Sequence, residues 1–288
     1  MSVEPSVIHD IGYQRYAGPR LGRGAVFAAL YLHGLRAAFG LGRTFKAKIF
    51  PWLAVGVVAL AAVILAAVRS QTGVVVLTYV GFADAMSWLV IMFVAIIAPE
   101  LVSRDLRSGV LPLYFSRPLR AADYVAAKVA ALVTAVWLLL GGAQLIMFLG
   151  AALTTKTGMS GVWDEVLDVV PALSYSLLWA LVFAAISLLV ASLTGKRAFA
   201  AGGIVAVFLM TTPIVGVLSI MPSSAARAMA GLASPMTLVS GVGTWLIPTA
   251  ETGFPVDRYG LVYGIEVVSV IAACLFLLLA RYRKVAAA

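Results

Sequence analysis

Long uncharged runs alternate with short charged ones along this chain. From Ile49 to Val68 there is no charged residue at all (IFPWLAVGVVALAAVILAAV). A helix rises about 1.5 Å per residue, so about 20 apolar residues cross the hydrocarbon layer of a bilayer. The run 49–68 is long enough for one crossing, and Arg69 closes it. Five comparable runs follow: 74–98, interrupted only by Asp84; 129–153, after Lys128; 169–193; 198–221; and 259–280, which contains Glu266. The pattern predicts an all-α membrane protein whose six transmembrane helices fill residues 49–280. Six crossings put both termini on one side.

The segments between the runs are less regular. Residues 1–24 read as a polar N-terminal tail and 281–288 as a short C-terminal one. Residues 25–48 carry too much charge to span. Their apolar residues Phe27, Leu30, Tyr31, Leu35, Ala38 and Phe39 recur on a helical period, with His33, Arg36 and Arg43 elsewhere. That predicts an amphipathic interfacial helix lying on the leaflet before the first span. The connection 222–258 is semi-apolar and punctuated by Pro222, Pro235, Pro248 and Pro255. Short helices, or a re-entrant hairpin buried against protein, would satisfy its backbone groups. Pro213 is expected to kink the fifth span. Trp52, Tyr259 and Tyr282 stand near span ends as interface anchors, while Trp137 and Trp179 are mid-span packing residues.

Composition sharpens the picture. Hydrophobic residues make up 62% of the 288 and charged residues only 11%; about a quarter charged is usual for a water-facing domain. The net charge of +9 comes from residues placed between apolar runs rather than along one face, which argues against nucleic acid. Most lysines and arginines fall on one side of the predicted topology: the tail, 25–48, 99–128, Lys196, Arg197 and the C-terminus. Only Arg69, Lys156, Arg227 and Arg258 fall on the other. The positive-inside rule then makes both termini cytoplasmic, in the cell membrane. No cleavable leader is expected, since the first long apolar run begins near Ile49. The lone Cys274, inside an apolar run, and the distant His9 and His33 supply no metal site.

The densest polar information lies in 99–128 (PELVSRDLRSGVLPLYFSRPLRAADYVAAK), about thirty residues on the cytoplasmic side. Glu100 and Arg104 stand four apart, acid first, the favourable order for a helical ion pair. Val102, Leu106, Val110 and Leu113 form an apolar stripe, and Arg104, Asp105, Arg107 and Ser108 occupy other faces. Gly109 and Pro112 limit the helix, and Ser116-Arg117-Pro118 begins a turn. A loop that needed only solubility would not carry Leu106, Leu111, Tyr114 and Phe115 among its charges.

The string E-x-x-x-R-D-x-x-S-G-x-L-x-x-Y-x-S-R-P-L, from Glu100 to Leu119, followed by Asp123, Tyr124 and Lys128, resembles the cytoplasmic region after the second span in permeases of ABC-2 type ABC transporters. The six spans and the amphipathic entry helix are similar to that family too. Val110 departs from it, where threonine is usual. The resemblance implies an exporter-like transmembrane subunit whose coupling helix docks on a separate ATP-binding subunit. Glu100, Arg104, Asp105, Arg107, Ser108, Gly109, Tyr114, Ser116, Arg117 and Pro118 would serve that coupling, with Gly109 permitting close backbone approach. ATP and magnesium would sit on the partner, since no G-x-x-x-x-G-K-[ST] loop occurs here. No cofactor and no catalytic residue is therefore expected in this chain. A second copy or a homologous permease is the expected membrane partner; Gly81 with Ala85 and Gly202 with Ala206 offer small-residue packing faces.

Asp84 and Glu266 are the acids inside spans, and buried carboxylates are costly. They read either as translocation-path residues or as groups neutralised by a neighbour such as Arg69 or Arg258. One alternative to substrate export stays open. The chain could transmit force to an extracytoplasmic protein without moving a substrate itself. A membrane-embedded enzyme would need a convergent catalytic set that this sequence does not offer.

Overall fold

The computed structural model describes residues 18, 22–109, 119–247 and 256–287. All regular structure among them is helical: α1 (Arg23–Ala38), α2 (Phe45–Thr72), α3 (Tyr79–Ala85), α4 (Ser87–Leu101), α5 (Ser103–Ser108), α6 (Ala121–Thr154) and α7 (Met159–Ser192). Then come α8 (Arg197–Met210), α9 (Thr212–Ser219), α10 (Ser224–Met229), a 3-10 turn (Ala230–Ala233), α11 (Pro235–Leu246), a second 3-10 turn (Asp257–Tyr259) and α12 (Gly260–Ala287).

Five units are long and apolar enough to cross a membrane: α2, α6, α7, the α8–α9 rod and α12. A sixth is made by α3 with α4–α5, bent by 53°. The run expected as one continuous second span is thus a broken one. Thr78 caps α3 by accepting the Gly81 N–H at 3.0 Å, which leaves the apolar residues Val74–Leu77 outside the helix. The fifth span divides at Thr211, and Pro213 sits in the first turn of α9, where its missing N–H costs least. The third and fourth spans exceed their apolar runs: α6 and α7 have 34 residues each, about 51 Å of helix.

α6 and α7 are the centre of the bundle. Over their most apolar windows 56% and 61% of residues are buried, against 22% for α2 and 17% for both α8–α9 and α12. Small residues bring the helices close. A Cβ on Gly150 of α6 would stand 2.6 Å from Ala66 of α2, and one on Gly34 of α1 would stand 2.9 Å from Ala131 of α6. Without a water-driven hydrophobic effect between lipid-embedded helices, such close contact is a main source of attraction. Gly81 and Gly202 do not play this part within the chain. A Cβ on Gly81 meets only its own turn, and one on Gly202 meets nothing.

The predicted face of α1 is the buried one: Leu30 and Ala38 are buried, and Phe27, Tyr31, Leu35 and Phe39 pack against the core. It is covered by α6 and α4. Tyr31 donates to Thr134 at 3.1 Å, and Phe39 meets Phe93 at 6.2 Å between ring centroids. After α1 the chain turns sharply through Gly40, at φ +66°. A Cβ there would stand 2.5 Å from the Ala47 carbonyl oxygen.

The spans alternate in direction. The start of α2, the end of α4 with α5, the start of α6, the start of α8 and the end of α12 gather at one end, the α5 end. The 222–247 part of the last connection forms short helices packed at the opposite end; Pro248 and Pro255 lie outside the described residues. Tyr263 of α12 donates to the Ala228 carbonyl at 2.8 Å and fills the space beside Gly241 of α11.

Candidate functional site

At the α5 end, helix α4 stops at Leu101. Val102 leaves helical geometry (φ −124°, ψ −54°), and the six-residue α5 follows it. Gly109 ends α5 at φ +64°, the left-handed conformation that glycine adopts at helix C-termini without strain. A Cβ on Gly109 would meet nothing within 4 Å. Among the described residues Gly109 supplies conformation and leaves the space beside it open.

Glu100 does not pair with Arg104. Its carboxylate accepts from Arg43, in the link between α1 and α2, at 2.7 Å, and from Arg197 at the start of α8, whose Nη2 lies at 3.1 Å. With two arginines on it, and a side chain only 13% exposed, the carboxylate has no reason to reach along its own helix. Arg104 is exposed.

Asp105 turns inward instead. Lys128 of α6, itself 4% exposed, lies 2.8 Å from its Oδ2, and Tyr124 donates to the same oxygen at 2.8 Å. The Lys128 ammonium also lies 5.3 Å from the centre of the Tyr124 ring. Tyr282, expected as a surface anchor, is buried with its ring 4.9 Å from that of Tyr124. At the first turn of α5, Ser103 donates to the Ala191 carbonyl of α7 at 2.7 Å. Nearby, Arg23 of α1 grips Asp123 with two bonds of 2.6 Å, and that bonding raises the Arg23 guanidinium further above its ordinary value.

Glu100, Ser103 and Asp105 therefore join the α4–α5 corner to four elements: the α1–α2 link, α6, α7 and α8. Arg107 and Ser108 are exposed, the Ser108 hydroxyl donating back to the Arg104 carbonyl at 2.9 Å. Tyr114, Ser116, Arg117 and Pro118 lie outside the described residues.

The two acids predicted inside spans part company. Asp84, at the break between α3 and α4, accepts from the Tyr175 hydroxyl of α7, and Trp179 and Ser240 face the same carboxylate. Arg69 does not neutralise it, because Arg69 binds Glu165 through both terminal nitrogens. Tyr79 donates to that Glu165 at 2.6 Å. Below it, Gln144 donates to the Tyr79 carbonyl at 2.8 Å and accepts from Ser176 at 2.9 Å. A column of bonded polar groups thus lines the broken span from the end opposite α5 inward. Glu266 lies elsewhere, exposed on the outer face of α12. The Arg258 guanidinium lies over the Tyr259 ring and bonds its hydroxyl at 3.2 Å.

Sequence reasoning singled out Glu100, Asp105 and Asp84 but not the partners Arg43, Arg197, Tyr175, Glu165 or Gln144. Gln144 carried a signal, as an amide in the middle of an otherwise apolar run. The arginines carried none beyond their place on the basic side. The chain matches no protein-family model and no curated protein.

Proposed function

We propose that this chain is the transmembrane permease subunit of an ATP-driven transporter of ABC-2 type, exporting a substrate across the cytoplasmic membrane. A separate ATP-binding subunit supplies hydrolysis, with its own ATP and magnesium. A second copy, or a homologous permease, completes the pathway. Both termini and the α5 end face the cytoplasm in this reading, in keeping with the excess of lysine and arginine there.

The observation that carries the proposal is the way α5 is mounted. It is a short helix at the basic end, with Arg104, Arg107 and Ser108 exposed. Its opposite side is fastened by Ser103 and Asp105, and Glu100 one turn earlier ties the corner to Arg43 and Arg197. A push on the exposed side is delivered to α6, α7, α8 and the α1–α2 link at once. Packed helices shift between discrete arrangements rather than deforming smoothly. An ATP-dependent push at α5 would therefore re-tilt spans, and the broken span with its polar column is the element suited to respond. Tyr114, Ser116, Arg117 and Pro118 extend the docking segment in this reading.

Affinity purification of the full chain in mild detergent, with mass identification of what accompanies it, tests the proposal. A stoichiometric ATP-binding subunit that is lost with Arg104→Glu supports it. A chain that purifies alone, with no nucleotide-binding partner, refutes it.

A further inference from the structure

Between α1, α4–α5 and α6 lies an open recess of about 280 Å³, lined by His33, Ala37, Glu100, Leu101, Arg104, Asp105, Ser108 and Lys128. Its two carboxylates are already answered. Glu100 holds Arg43 and Arg197, and Asp105 holds the buried Lys128. The lining itself holds two cations, Lys128 and Arg104; with Arg43 and Arg197 behind Glu100, four cations stand against two acids, and among the described residues no side chain pairs with Arg104 or with His33. Counted with those two arginines, the surroundings of the recess keep a positive excess of about two charges. An anion is what it lacks.

Depth says where that anion comes from. Along α6, Thr154 lies about 40 Å beyond Lys128, and a bilayer measures about 40–45 Å with its headgroups. Lys128 and the recess around it thus stand at headgroup level when α6 spans the membrane. The same end exposes Leu32, Leu41 and Phe45, the last at 78%, as apolar surface for acyl chains. Basic recesses between spanning helices suit phosphate headgroups.

We infer that this recess binds the phosphate headgroup of an anionic phospholipid, with Arg104 and His33 as the groups that contact it and Lys128 as the buried cation behind them. The inference does not depend on the transporter reading, because it needs only the span geometry and the charge around the recess. A bound lipid would sit between α1 and α5 and brace the α4–α5 corner from its open side.

Native mass spectrometry of the detergent-purified full chain, offered equal amounts of phosphatidylglycerol and phosphatidylcholine, tests it. The chain should retain phosphatidylglycerol in preference. Arg104→Gln should lower that retention about fivefold, the usual worth of one basic side chain at a membrane surface. Arg104→Lys should keep most of it, and Arg107→Gln, outside the recess, should leave it unchanged. Inorganic phosphate at matched ionic strength should not displace the lipid; displacement would mean a site for free phosphate and overturn the lipid assignment. Equal retention of the two lipids, or equal loss with Arg104→Gln and Arg107→Gln, would overturn the inference outright.

Discussion

Glu100 shows how far a single residue's role depends on distant partners. Its local spacing pointed to Arg104, but Val102 breaks the helix between them, and the carboxylate goes to Arg43 and Arg197. Removing one side of a mostly buried ion pair leaves the other charge poorly solvated. Glu100→Ala should therefore destabilise the chain by about 2 kcal/mol, a value reduced from that of fully buried pairs because Arg197 is 42% exposed. Arg104→Ala should change stability by less than about 0.5 kcal/mol. Thermal unfolding in one detergent compares the two; equal shifts would contradict the pairing. Asp84 gives a parallel case. Tyr175→Phe withdraws the hydroxyl that bonds it and should cost about 1–3 kcal/mol, read in the same assay against Tyr259→Phe at the surface.

Among the elements, the first span and the face of α1 were legible because both rest on local patterns. An uncharged run of helical length has one physical meaning in a membrane protein, and the 3.6-residue period picks out Leu30 and Ala38 directly. The broken second span was not legible. The break falls at Met86, two residues past Asp84, whose carboxylate bonds a tyrosine 91 residues away, and that contact leaves no mark on the apolar run. Likewise no local pattern tells that Tyr282 turns inward onto Tyr124. The turn between α1 and α2 offers a clean test at this scale. Gly40→Ala must place a Cβ against the Ala47 carbonyl at positive φ, whereas Gly42, at φ +76°, faces open space. Gly42→Ala should cost about 1 kcal/mol from backbone strain alone, and Gly40→Ala distinctly more. Thermal unfolding of the two variants, with helicity followed by circular dichroism, decides it.

For the whole molecule, composition alone called for membrane helices, and the alternating directions of the spans follow from which residues meet at the α5 end. Which helices stand at the centre could not be read, because lipid-facing and packed positions are equally apolar. The charge asymmetry predicts a definite orientation. With Cys274 replaced by serine, a cysteine at Arg36 or Lys196 should react with a membrane-impermeant thiol reagent only from the cytoplasmic side, and one at Lys156 only from outside. The reverse pattern would invert the topology and remove α5 from reach of any ATP-binding subunit.

The most direct test of α5 as the point where ATP-driven force enters is ATP hydrolysis by the purified complex in lipid nanodiscs. Wild-type complex should hydrolyse ATP at a rate that Arg104→Glu changes several-fold, while Lys156→Glu at the far end leaves it alone. A protein that carries no ATPase, or whose ATPase is indifferent to Arg104→Glu, would contradict the account.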